Sequence, residues 1–233
     1  MEQLVETASE ATQPAPVSAP PLPIPEQTGP SALQRLLVPG VIVTLLTVIA
    51  ALLALIWLTR PPSEASVEVA YTRDMIAHHE QAVEMALLLR ERGVSDDIDV
   101  LTRDIVLTQQ AQLGQMQGWL AVWGRPLGSD RPAMGGMGPE MGMATQQQVN
   151  ELRTLPLPEA EVRFLQLMIR HHQGAVWMAR EIGPKTDRPV IYNFAVATIA
   201  SQESEIAVMR DLLVQRGAQP LPDLQPVPMD HGG

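Results

Sequence analysis

The chain reads as an all-α protein: an antiparallel four-helix bundle made of two duplicated helical hairpins, preceded by one transmembrane helix. Three observations predict this. Apolar residues recur at helical spacing in four long runs bounded by Gly and Pro. The segment Met75-Ile76-Ala77-His78-His79 returns 93 positions later as Met168-Ile169-Arg170-His171-His172. Residues 36–58 are apolar apart from two threonines, Pro39 and Gly40, and carry no charge.

In chain order, residues 1–35 hold seven prolines among Ala, Gln, Thr and Glu. Such a stretch has too little apolar surface to fold and is expected to be an extended, disordered tail. At 1.5 Å per residue, the run 36–58 is long enough to cross a hydrocarbon core of about 30 Å, with Trp57 and Arg60 as interfacial anchors. A cleaved signal peptide is the alternative, opposed by the acidic rather than basic segment before it. Helices are then expected over about 65–92 and 96–123, ending at Gly93 and Gly124. A Met- and Gly-rich loop at 130–145 contains Met134, Met137, Met141 and Met143, and a short helix near 145–154 follows. Two more long helices are expected over about 159–182, stopped by Gly183-Pro184, and about 187–216, stopped by Gly217. The bundle therefore occupies 65–217, and 218–233 is a second tail ending in Met229-Asp230-His231.

The repeat reaches beyond the His-His motif. At the same offset Thr108-Gln109 matches Ser201-Gln202, Leu113 matches Ile206, Met116 matches Met209 and Gly124 matches Gly217. Two hairpins with short connections pack naturally as an antiparallel bundle, because each buries the apolar stripe the other leaves exposed.

Composition narrows the chemistry. A formal net charge of −10 argues against nucleic acid as a partner, since that binding is driven by Lys and Arg on phosphates. With no cysteine, thiolate catalysis, disulfides and cysteine-ligated metals are excluded. All five histidines and every methionine except Met1 follow the apolar segment, so the functional half is the C-terminal one.

On a helical wheel, Tyr71, Met75, His78, His79, Ala82, Met85, Ala86 and Leu89 fall within an arc of about 120°. Phe164, Met168, His171, His172, Ala175, Met178, Ala179 and Ile182 repeat that arc. Off it the copies diverge: Glu80 against Gln173, Glu84 against Trp177. The duplication kept the inward chemistry. A methionine stripe is usually core filler, and Met116 and Met209 taken alone read that way. Burying four imidazoles, however, costs several kcal/mol unless each finds a partner, and a metal supplies one. Imidazole with thioether favours copper, Met preferring Cu(I), with Cu(II) as a second state; absent thiolates disfavour structural zinc. The candidate ligands are His78, His79, His171 and His172 with Met75, Met85, Met168 and Met178. Weaker candidates are Met116, Met209, the four loop methionines, Met229 and His231.

Residues 74–86 and 164–179 closely resemble the signature of the family called domain of unknown function 305, and the resemblance spans about 67–217, with Ser201-Gln202 and Met209 in the last helix. The resemblance implies a ferritin-like four-helix bundle, exported beyond the cytoplasmic membrane, with copper-binding periplasmic proteins among its members. It carries the ligand role onto the eight His and Met positions named above and orients the chain with its C-terminal domain outside the cytoplasm. The expectation is a membrane-anchored copper-binding protein that sequesters copper or hands it to a transfer partner, alone or as a homo-oligomer, without catalysing a reaction. Alternatives are a di-iron oxidoreductase, a haem-binding bundle and a structural interaction module. The di-iron site needs inward carboxylates, whereas Glu84 lies opposite the histidines and Glu203 and Glu205 have Gln110 and Gln112 as counterparts. A haem would need only one axial pair.

Overall fold

The computed structural model of the chain describes residue 29, residues 32–128 and residues 138–225, with backbone alone over 32–39 and 57–58. The first 28 residues, Met134, Met137, Met229 and His231 lie outside the described residues. Six α-helices and no strand occur among the described residues: α1 (Ala32–Leu58), α2 (Val67–Arg90), α3 (Asp96–Val122), α4 (Gln146–Thr154), α5 (Leu157–Ile182) and α6 (Pro189–Gln215). The chain divides into two units, residues 1–59 and 60–233.

In the second unit, helix ends follow from local chemistry. The Ser66 side chain accepts from Val69 N at the start of α2, and Asp96, Asp97 and Asp99 fill the first turn of α3, where carboxylates complement the helix dipole. Thr145 and Gln148 form a reciprocal capping box on α4. The repeat extends to the stops: Gly124 and Gly217 take φ +65° and +63°, and Arg125 N and Ala218 N return to Leu120 O and Leu213 O at 2.8 and 2.9 Å. Both are left-handed closures that favour glycine.

Helices α2 and α3 form one hairpin and α5 and α6 the other; α2 against α5 joins them, and α4 packs on both α5 and α2. One side chain ties the far end together. Arg216, just past α6, reaches Asp97 at 2.9 Å, Ser95 Oγ at 2.9 Å and Glu161 at 3.1 Å, so it spans both hairpins. The guanidinium holds the Asp97 carboxyl well below the usual carboxylate range. Buried Glu161 also accepts from Ser95 N at 2.8 Å, which satisfies it twice over.

The first unit requires a correction. A transmembrane helix over 36–58 was expected, and with it a single-pass cytoplasmic-membrane location with the C-terminal domain outside. Among the described residues no helix is long and apolar enough to cross a membrane. Helix α1 is described with its side chains over residues 40–56. Its large apolar side chains, among them Val41, Leu46 and Leu53, are exposed.

Candidate metal centre

All sixteen residues of the two wheel arcs are buried, none more than 2% exposed. Helical periodicity alone therefore orients α2 and α5 toward each other, and the four histidines meet where these helices cross. His78 and His171 stack with ring centroids 3.7 Å apart and planes inclined by 37°. His79 and His172 flank them, 6.5 and 6.3 Å from their chain neighbours.

The methionines sort by position. Met75, Met116 and Met178 share one apolar cluster, together with Met141; Met85, Met168 and Met209 share another. The methionine before the histidines of one helix thus joins the methionine after the histidines of the other, as antiparallel packing requires. Each of these seven thioethers is wholly buried. Met143 is partly buried against the first cluster.

Hydrogen bonding around the imidazoles is sparse. His79 Nε2 meets Gln112 Oε1 at 2.7 Å, and 93 positions on His172 Nε2 meets Glu205 Oε2 at 2.5 Å. His78 Nε2 donates to the Met141 carbonyl at 3.1 Å. Neither ring nitrogen of His171 makes a well-formed hydrogen bond among the described residues, the His78 backbone being a polar neighbour that acts on it electrostatically. The Nδ1 atoms of His78, His79 and His172 are likewise unpartnered. Gln109 and its repeat mate Gln202 add three more unpaired buried atoms. Buried polar groups normally find partners, and each orphan costs about 1–3 kcal/mol.

Desolvation favours the neutral form of His78, His79 and His171. It drives His78 down to about 3 and His79 down to about 4, and lowers His171 well below the ordinary histidine value. Neutral imidazole is the form that ligates a metal, so the lone pairs are available without a proton to displace.

A loop closes over one side of the quartet. Gln81 clamps Ala144 through both backbone groups at 2.9 and 2.7 Å. A single 3₁₀ turn, Pro139–Met141, leads to Gly142 at φ +82°, where a Cβ would stand 2.2 Å from Arg170 O. At Gly174 a Cβ would lie 1.7 Å from Met141 O. Both glycines are needed for the loop backbone to touch α5 and deliver its carbonyl to His78. Of the partners described here, Gln112, Glu205 and the Met141 carbonyl were not legible as histidine neighbours. For the first two a signal existed, since Gln112 and Glu205 are equivalents in the repeat and both polar.

Among the described residues, no group of three or more His, Cys, Asp and Glu side chains could hold a metal ion. A complete coordination sphere here would need thioether sulfur beside the imidazoles. The donor set present, neutral imidazole with methionine and no thiolate, fits a soft ion.

Fold and site together are those of an all-helical domain with paired, buried His-His motifs. Residues 68–213 match the domain of unknown function DUF305, and the chain belongs to that family. Among solved structures it is similar to a DUF305 protein from Streptomyces coelicolor, with 42% identity, a TM-score of 0.64, and coverage of 69% of this chain and 99% of the other. A DUF305 fragment from Deinococcus radiodurans shares 36% identity at TM-score 0.61, covering 66% and 99%. CopM in its Cu(I)-bound form shares 25% identity at TM-score 0.54, covering 64% and 96%. No curated protein matches the chain.

Proposed function

We propose that the chain binds copper in the buried centre between α2 and α5 and serves to sequester it or hand it on, without catalysing a reaction. On this reading its four long helices form a ferritin-like antiparallel bundle. His78, His79, His171 and His172 supply imidazole, and Met75, Met85, Met168 and Met178 supply thioether. The observation that carries it is the quartet itself: four wholly buried imidazoles, two of them stacked at 3.7 Å, with five unpartnered ring nitrogens between two methionine clusters. A core that served packing alone would not retain so many unsatisfied donors and acceptors. Similarity to CopM, solved with Cu(I) and with Cu(II), supports copper as an ion the centre takes. Met116, Met209 and Met141 are near enough in the same clusters to act as reserve donors.

The test is a competitive titration of the whole chain with Cu(I), Cu(II), Fe(II) and Zn(II), repeated on His78→Ala and His171→Ala. Copper is expected to bind tightest, Cu(I) above Cu(II), with both variants weakened. Equal affinity in wild type and both variants would remove the histidines from the site.

A further inference from the structure

Along the seam between α3 and α6 lies a surface groove of about 660 Å³. Asp96, Asp97 and Asp104 line it from α3, Glu205 lies on the α6 side, and no basic side chain lines it. Asp97 is held by Arg216, so the remaining three acids set its character. The repeat supplies an internal control. The positions equivalent to Asp96, Asp97, Asp104 and Glu205 are Pro189, Val190, Ala197 and Gln112, none of them charged. At these four positions the repeat-related end of the seam is neutral.

Glu205 separates this groove from an ordinary charged surface. Its carboxylate is 18% exposed on the groove side and accepts from His172, which is wholly buried. The other ring nitrogen of His172, Nδ1, is unpartnered. Gln202, one turn before Glu205, and Gln109, next to groove-lining Thr108, are both buried with unpaired side-chain amide atoms. Glu205 is thus at once a lining residue of the acidic groove and a direct neighbour of the buried quartet.

We propose that this groove is the route by which a metal cation enters, with Glu205 passing the ion from water to His172. The inference rests on the metal-binding reading above and adds a direction to it. Acids at a concave mouth raise the local cation concentration and the rate of encounter. A hydrated ion sheds water onto the Glu205 carboxylate, which holds it beside the His172 ring at the edge of the quartet. The neutral Gln112 end offers no such attraction.

Stopped-flow quenching of tryptophan fluorescence by Cu(II), on the whole chain, tests this. Asp96→Asn/Asp104→Asn should load about tenfold more slowly and lose the dependence of rate on ionic strength, while equilibrium affinity stays within about twofold because the quartet is untouched. Glu205→Gln should slow loading further, and Glu159→Asn, an acid away from the groove, should leave it unchanged. Loading of the double variant at the wild-type rate, with His171→Ala still weakening binding, would overturn the route and leave the site. Absence of Cu(II) or Cu(I) uptake by wild type would overturn both.

Discussion

The two His-His pairs occupy equivalent positions in a repeat and live in different surroundings. In the first copy His78 is tied to the Met141 carbonyl and His79 to the neutral amide of Gln112. In the second, His171 has no hydrogen-bonded partner among the described residues and His172 faces the Glu205 carboxylate. Duplication preserved the imidazoles and let their supports diverge. The first half is held by neutral dipoles, one from the loop at Met141 and one from α3. The second is left with an open imidazole and a negative charge, the better half for attracting and first holding a cation.

The largest expected effect separates His171 from His78. Truncating a supporting partner of a metal ligand typically costs about 10–100-fold in affinity, and His171→Ala should meet or exceed the upper figure. His78→Ala should cost less, because part of that imidazole's bonding is already spent on a carbonyl. Competition against a Cu(I) chelator measures both, and the reverse order would break the comparison.

Next comes a trade between function and stability. His171→Leu removes orphaned polar atoms from the core and should stabilise the metal-free protein by about 1–3 kcal/mol while abolishing stabilisation by added copper. His78→Leu strands the Met141 carbonyl and should destabilise it. Thermal melts with and without Cu(I) read both signs at once. Gly174→Ala, which drives a Cβ into Met141 O, should cost about 1–3 kcal/mol through overpacking. It should also free His78, so that His78 and His171 respond more alike.

Acid should act more gradually. His78 and His79 have folded values near 3 and 4, below the unfolded value of about 6.5. Between these limits the unfolded chain binds more protons, so this contribution to stability is complete above about pH 6.5 and declines as pH falls toward 4 and then 3. Melting temperature of the metal-free protein should fall across that window, and a flat profile would mean that the imidazoles are not buried in solution. The smallest effect belongs to Gln112→Glu, which gives the first copy the carboxylate of the second. Cu(II) affinity should rise a few-fold with little change for Cu(I), as an added charge favours the harder, divalent ion.

Helix positions and the inward arc were legible because a period of 3.6 residues is written locally, and sixteen buried positions follow from it without knowledge of any neighbour. The Met141 carbonyl at His78 was not legible. It depends on Gly142 and Gly174 allowing two backbones to touch, a contact between segments far apart in sequence that no periodicity records. Gln112 and Glu205 lay between these cases: the repeat marked them as a pair, but only the hairpin geometry brings position i+33 onto the histidine. For α1, hydrophobicity by itself suggested a membrane span that the described helix does not support.

The account turns on imidazole and thioether binding one copper together. X-ray absorption at the copper edge, on the protein loaded with one equivalent of Cu(I), measures this directly. A first shell of imidazole nitrogen with at least one sulfur is predicted, since the only sulfur in the chain is methionine. A shell of nitrogen and oxygen alone, unchanged in His171→Ala, would contradict it.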